Sequence, residues 1–172
     1  MESLPDGREP GRYRVEVVCL GNICRSPMAH VVLEERLADA GLGDVVEVTS
    51  SGTGDWHVGN PMDRRAAATL TAAGYDASRH RARQWADLDG ADLYLAMDAT
   101  NLADIGGAGT RTRMFRDFDP IERGGDVPDP YYGGDDGFEE VLGMVERTAS
   151  AIVESLRRER PWDGADRVRP GP

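Results

Sequence analysis

Apolar, β-branched runs alternate along this chain with segments in which apolar residues recur at helical spacing. The runs predict strands, and the segments with a period of about 3.6 residues predict helices. The last helical segment carries one apolar stripe, which predicts a helix that covers one face of a sheet. The predicted strands are 13–20, 45–49, 93–96 and 111–115, and the predicted helices are 27–40, 61–73, 98–105 and 136–160, with a weaker helical pattern over 83–88.

This alternation indicates an α/β fold, because parallel strands are joined by helices that cover the two faces of their sheet. We expect a single domain of three layers, αβα, around a four-stranded parallel sheet. Residues 1–11 and 161–172 are polar and rich in glycine and proline, so we expect two flexible tails. The predicted domain is therefore 12–160.

Composition narrows the functional classes. The 172 residues are 40% hydrophobic, which is enough for a core. No apolar run approaches the ~20 residues that span a membrane, and the N-terminus lacks the apolar core of a signal peptide, so we expect a cytoplasmic protein without a membrane partner. The net charge of −11 argues against a nucleic-acid partner, because nucleic acid binds to a basic face.

The segment CLGNICRSP, which begins at residue 19, carries the candidate chemistry. It leaves the first predicted strand, turns at Gly21 and Asn22, and enters a helix at Ser26, with Pro27 at a favoured first helical position. The backbone N–H groups of such a turn, together with a helix N-terminus, bind an anion. The segment therefore predicts a phosphate-binding loop directly after the first strand.

Cys19 and Arg25 stand at the two ends of this loop. A helix N-terminus and a nearby arginine hold a cysteine as thiolate. The planar guanidinium of arginine can donate hydrogen bonds to two phosphate oxygens at once. The spacing alone is a weak signal, and the strand, turn and helix start around it give it weight. Cys19 and Cys24 are the chain's two cysteines and lie in one turn. They therefore cannot form a disulfide that links distant parts of the fold, and they cannot complete a zinc site. We expect no metal and no cofactor.

These residues resemble the signature of the low-molecular-weight protein tyrosine phosphatases, in their bacterial type. The similarity begins at VVCLGNICRSPMA over 17–29, continues through SSGTGDWHVGNP over 50–61 and ends in DPYYG over 129–133. It covers about 12–158 in the family's order and spacing. The resemblance implies a phosphoric monoester hydrolase that acts on phosphotyrosine-containing proteins through a cysteinyl-phosphate intermediate.

The resemblance also implies a role for each part of these motifs. Cys19 would be the nucleophile, Arg25 the phosphate clamp and Asp129 the general acid. The implied phosphate-binding residues are Leu20, Gly21, Asn22, Ile23, Cys24, Arg25 and Ser26, with support from Ser26, Asn22 and Ser50 and substrate walls from Trp56, Tyr131 and Tyr132.

Asp119 is an alternative acid, because Asp119-Pro120 has the same form as Asp129-Pro130. We expect Asp129, because the family's acid precedes Pro-Tyr or Pro-Phe, whereas Ile121 follows Pro120.

Other residues also have alternative interpretations. Trp56 could instead be a partly buried core residue. Cys24 is expected to act as a redox guard, because a neighbouring thiol captures an oxidised cysteine before it over-oxidises. The histidines, His30, His57 and His80, lack a metal motif, so we expect ordinary surface or packing roles.

Particular residues disfavour three rival functions. Arsenate reductases of this fold use two further cysteines, which this chain lacks, and protein arginine phosphatases carry Thr where this chain has Ile23. A non-catalytic phosphotyrosine-binding module is disfavoured because Cys19, Arg25, Ser26 and Asp129 are retained together. We expect a monomer or a weak dimer.

Overall fold

A four-stranded parallel sheet with strand order β2-β1-β3-β4 forms the centre of the structure, a computed structural model that describes residues 3–87, 90–134 and 136–164. The strands are β1 (Tyr13–Cys19), β2 (Val46–Gly52), β3 (Leu93–Ala96) and β4 (Thr112–Met114). The α-helices are α1 (Arg25–Asp39), α2 (Arg64–Ala72), α3 (Ala99–Asp104) and α4 (Asp136–Glu159), and short 3-10 helices span Phe115–Phe118 and Pro161–Asp163.

The central strand β1 fixes where the site lies. In its register Cys19 pairs with Gly52 at the end of β2, and Val18 pairs with Ala96 at the end of β3. The carboxyl ends of all three strands therefore meet at one edge. Ligands of open α/β sheets bind beyond that edge.

The two faces of β1 are covered differently. Val15 and Val17 point into the main core, which also contains buried side chains of α1, α2 and α4. Val18 points to the opposite face and packs in a smaller cluster with Ala96 and Ile105 beside α3. Helices on both faces give the predicted three layers.

Helix α4 is the longest element, and it is amphipathic. Its buried side chains recur at helical spacing, from Phe138 through Val145 to Leu156, and they join the main core. The predicted role of this segment as a cover for the sheet is confirmed. None of the helices in the described ranges has the length and apolarity needed to cross a membrane.

Two helix starts differ from the sequence pattern. Helix α1 begins at Arg25, so Pro27 occupies its third position rather than its first. Proline fits there because the first four N–H groups of a helix have no intrahelical partner. Helix α2 begins at Arg64 because Asp63 caps it, with its side chain accepting from the N–H groups of Arg65 and Ala66.

The sequence has a weak helical pattern over 83–88, but the structure has no helix over 83–86. Gln84 instead forms an isolated parallel bridge with Gly52, and the N–H of Trp85 donates to the Gly52 oxygen. Edge pairing with the end of β2 thus overrides a marginal local preference, while Leu88 lies outside the described residues.

The segments predicted to be flexible tails are packed in their described parts. Leu4 is 6% exposed and Trp162 is 2% exposed. The two segments also pair with each other, because the N–H of Gly7 donates to Pro161 and the N–H of Gly11 donates to Trp162. Isolated apolar residues within polar segments therefore extend the packed unit beyond the predicted bounds of 12 and 160. Residues 1–2 and 165–172 lie outside the described residues.

Candidate active site

The loop between β1 and α1 brings a thiol and a guanidinium to the carboxyl edge of the sheet. Cys19 is the last residue of β1, and Arg25 is the first residue of α1. Both side chains are buried, Cys19 at 2% exposure and Arg25 at 3%. The loop N–H groups and the N-terminus of α1 lie between them, which is the arrangement that binds an anion.

Asn22 shapes this loop. Its φ of 56° is left-handed, a conformation that asparagine tolerates better than most residues. Its Nδ2 donates to Ser26 Oγ at 2.8 Å and to Ser50 Oγ at 3.1 Å, and its Oδ1 accepts from the N–H of Arg83 at 2.9 Å. The amide therefore braces the ring from inside, where the sequence predicted Asn22 and Ser50 to act.

Ser26 connects this brace to the thiol. Its Oγ lies 2.9 Å from Cys19 Sγ and accepts from Asn22, so its own hydrogen is available to the sulfur. Ser51 O, at 3.3 Å from the hydroxyl, is a weaker competitor. The hydroxyl is therefore placed to donate a hydrogen bond to the sulfur.

Arg25 is held from two sides. Its Nη1 donates to Asp98 Oδ2 at 2.6 Å and to Val127 O at 3.1 Å, and its Nη2 lies 3.6 Å from Asp129 Oδ2. Burial disfavours its charge, but the negative charge of Cys19 and the hydrogen bond to Asp98 outweigh burial and raise the pKa of Arg25. The site thus holds a permanent cation beside the thiol.

A cavity of about 270 Å³ opens above the loop. Trp56 stands at its mouth with 67% of its surface exposed, so it is not a core residue. Its ring lies against Gly54, where a Cβ would overlap it. The cavity is lined by Cys19, Leu20, Gly21, Ile23, Cys24, Arg25, Trp56, His57, Asp129, Tyr131 and Tyr132.

The two candidate acids occupy different environments. The Asp129 side chain is 33% exposed on the cavity wall, and its Oδ1 accepts from the N–H of Tyr131 at 3.0 Å. Asp119 is 1% exposed, outside the cavity lining, and it accepts from Arg116 and Arg147 at 2.8–3.0 Å. Burial opposes its ionisation, but hydrogen bonds led by Arg147 hold the pKa of Asp119 well below its usual range. Asp119 therefore ties helix α4 to the chain before the loop that carries Asp129.

Two of the three histidines have more specific places than expected. His57 lines the cavity beside Gly21. Burial lowers the pKa of His80, and its Nε2 donates to the Asn22 carbonyl oxygen at 2.7 Å. His30 is half-buried, with Nδ1 3.2 Å from Ser50 Oγ. His57 and His80 thus both contact the phosphate loop, a placement that the sequence did not indicate.

Sequence reasoning also missed a buried carboxylate under the loop. Glu16, in the middle of β1, is fully buried and accepts from Arg83 Nη2 and Ser51 Oγ, each at 2.7 Å. The backbone N–H of the same Arg83 donates to Asn22. One signal was available, because a charged residue inside an apolar strand run needs a buried partner.

Within 3–87, 90–134 and 136–164, no group of three or more His, Cys, Asp or Glu side chains is arranged to hold a metal ion.

Comparison with known proteins identifies the family. The profile described as low molecular weight phosphotyrosine protein phosphatase matches residues 14–162. The chain belongs to this family. Membership makes the protein an enzyme of the protein-tyrosine-phosphatase class, and it confirms the resemblance seen in the sequence motifs.

Named relatives and solved structures agree. The chain is 46% identical to the low molecular weight protein-tyrosine-phosphatase of Streptomyces coelicolor over 157 residues, which cover 86% of this chain and 95% of the relative. It is 47% identical to low molecular weight protein-tyrosine phosphatase A of Mycobacterium tuberculosis over 158 residues, covering 86% and 96%. The crystal structure of YfkJ from Bacillus subtilis superimposes with a TM-score of 0.80 at 35% identity, covering 90% of this chain and 99% of YfkJ.

Proposed function

We propose that the protein hydrolyses phosphotyrosine in proteins, and small aryl phosphates, through a cysteinyl-phosphate intermediate with Asp129 as general acid. The observation that carries this proposal is the convergence of Cys19, Arg25 and Asp129 on one cavity. A nucleophile, a cation and a proton donor are the three groups that phosphoryl transfer to cysteine requires.

In the first step the thiolate of Cys19 attacks phosphorus, so a sulfur–phosphorus bond forms while the bond to the tyrosine oxygen breaks. Asp129 gives its proton to the departing oxygen. Because Asp98 and Val127 occupy Nη1 of Arg25, we assign its Nε–Nη2 edge to two phosphoryl oxygens. The loop N–H groups from Leu20 to Arg25 hold the remaining charge.

In the second step the Asp129 carboxylate takes a proton from water, and the resulting hydroxide attacks phosphorus. The sulfur–phosphorus bond breaks, and Cys19 leaves as thiolate. Ser26 Oγ, 2.9 Å from the sulfur, stabilises the negative charge that returns to it. Inorganic phosphate is then released.

Substrate choice follows from the depth and walls of the cavity. Tyr131 and Tyr132 form one wall with ring centres 5.0 Å apart, and Trp56 forms another. A flat phenol can place its phosphate on the loop and its ring between these walls. Phosphoserine is too short to reach the thiolate and offers no ring. The partners are therefore phosphotyrosine-containing proteins, while the cytoplasmic location and the monomeric or weakly dimeric state stay predictions from the sequence.

The test is turnover of p-nitrophenyl phosphate by the purified protein and by Cys19→Ser. We expect turnover by the parent and none by the variant, which should still bind vanadate because its loop N–H groups and Arg25 are intact. Arg25→Ala should lose both turnover and binding. A parent that binds phosphotyrosine peptide without turnover would instead be a binding module.

A further inference from the structure

The side chain of Arg65, in the first turn of α2, fastens the loop that carries Asp129. Its Nη2 donates to Tyr131 O at 3.0 Å, and its Nη1 lies 3.5 Å from Gly133 O. Its guanidinium also lies over two rings, with the central carbon 5.4 Å from the Tyr131 centroid and 4.7 Å from that of Phe138. The hydrogen bonds and the contact with the Tyr131 ring oppose movement of this loop away from α2, while the contact with Phe138 packs the guanidinium against α4.

Arg65 is itself fixed by Asp63, the cap of α2. Asp63 Oδ2 lies 3.2 Å from Nη2, and Oδ1 accepts from Nε at 3.3 Å and from the N–H of Arg65 at 2.8 Å. Burial disfavours this carboxylate's charge, but the Arg65 hydrogen bonds outweigh burial and lower the pKa of Asp63. The guanidinium is therefore held in one orientation.

Asp63 in turn contacts the phosphate loop, because its N–H donates to the carbonyl oxygen of Ile23 at 2.9 Å. At the other end, the N–H of Tyr131 donates to Asp129 Oδ1 at 3.0 Å. A series of hydrogen bonds, joined through the covalent structure of Asp63, Arg65 and Tyr131, thus links the loop of the nucleophile to the general acid.

We propose that Arg65 is a positioning residue that sets the distance between the Asp129 carboxyl group and the phosphate loop. The inference rests on the proposed function, because it needs Asp129 to be the proton donor. Arg65 would not touch the reacting atoms. Its effect would be confined to proton delivery, which only some substrates require.

This property makes the inference measurable. Phenyl phosphate has a basic leaving group and needs the proton, whereas p-nitrophenyl phosphate releases a more acidic phenol and needs it less. General acid catalysis contributes ~10²–10⁴, and a displacement of about 1 Å can remove ~10² of such a gain. We therefore expect Arg65→Met to lower kcat/KM for phenyl phosphate by roughly 10-fold or more and that for p-nitrophenyl phosphate much less.

The readout is the ratio of the two kcat/KM values on one preparation, which does not depend on the folded fraction. Arg64→Met is the matched control, because Arg64 is the adjacent arginine of the same helix turn and is exposed. Its ratio should equal that of the parent. Arg65→Lys keeps the charge but not the planar fork, so its ratio should lie between those of the parent and Arg65→Met.

A double variant separates positioning from other effects. In the Asp129→Asn background, Arg65→Met should leave the ratio unchanged, because residues that act through one group are not additive. An unchanged ratio in Arg65→Met beside a shifted ratio in Asp129→Asn would overturn the inference alone. An unshifted ratio in Asp129→Asn would overturn the acid assignment and this inference with it.

Discussion

Asp98 Oδ2 lies 2.6 Å from Nη1 of Arg25, and the two side chains are 21% and 3% exposed. Asp98 lies two residues after the end of β3. It also caps α3, because its Oδ1 accepts from the N–H of Asn101 at 2.7 Å. One carboxylate thus caps a helix and orients the Arg25 guanidinium. The orientation of Arg25 is therefore coupled to the start of α3.

Asp98→Asn should weaken this orientation, because the amide cannot replace a charge-assisted hydrogen bond. Such bonds contribute about 1.5–3 kcal/mol, and 1.4 kcal/mol is about tenfold in affinity. We expect KM for p-nitrophenyl phosphate and the inhibition constant for inorganic phosphate to rise about tenfold. The control is Asp104→Asn, an exposed residue at the end of the same helix. Equal constants in Asp98→Asn and the parent would contradict this role.

The position of Asp129 on the cavity wall predicts which acid matters. Asp129→Asn should lower kcat/KM by roughly 10²–10⁴ for aryl phosphates with poor leaving groups and less for good ones, because only poor leaving groups need the proton. Asp119→Asn should not alter this dependence on the leaving group, since Asp119 lies outside the cavity lining. The measurement is kcat/KM across a series of aryl phosphates, and the opposite pattern would reassign the acid.

We expect the Asp119→Asn substitution to lower the stability of the fold. Asp119→Asn leaves the buried Arg116 with only Glu122, which is largely exposed, as a carboxylate partner, so the free energy of unfolding at pH 7 should fall by about 2 kcal/mol. Because the pKa of Asp119 is lowered on folding, its contribution is complete above its unfolded pKa of about 3.9 and is lost as the pH falls towards the lower folded value. Urea unfolding at pH 7 and pH 3 should therefore show a smaller difference at pH 3. An equal difference at both values would argue against this ion pair.

The sequence predicted those parts of the protein that local patterns determine. The loop from Cys19 to Ser26 is contiguous, and each strand carries its own apolar run, so motif and periodicity were enough. Asp98 and Arg65 act through partners far away in the chain, and no local pattern reveals such a pairing. The packed terminal segments were missed for the same reason, since burial of Leu4 and Trp162 depends on where the two ends meet.

Cys24 offers a redox prediction that remains to be tested. It is buried, and burial, with a smaller effect of Asp63, raises the pKa of its thiol. Peroxide would oxidise the Cys19 thiolate to a sulfenic acid. That acid would then condense with the Cys24 thiol, forming a disulfide and releasing water. Mild peroxide should therefore inactivate the enzyme reversibly, with dithiothreitol restoring turnover.

The comparison for this prediction is Cys24→Ser under the same treatment. Without the second thiol, the sulfenic acid of Cys19 oxidises further to acids that dithiothreitol does not reduce. Recovery, measured against each untreated protein, should be high for the parent and low for the variant. Equal recovery in both would exclude the protective role, and mass spectrometry of the treated parent should find the Cys19–Cys24 bond.

The Trp56→Ala variant tests whether the aromatic walls of the cavity select the substrate. Its ring is mostly exposed at the cavity mouth, so Trp56→Ala removes a stacking partner without opening a core cavity. Aromatic pairs contribute ~0.5–1.5 kcal/mol beyond area burial, so kcat/KM for a phosphotyrosine peptide should fall by up to about tenfold. Inhibition by inorganic phosphate should not change, because free phosphate contacts only the loop.

The control is Val58→Ala, because Val58 is another exposed apolar residue but lies outside the cavity lining. A parent that prefers phosphoserine peptides, or a Trp56→Ala variant that loses phosphate and peptide binding equally, would show that the walls do not select the substrate.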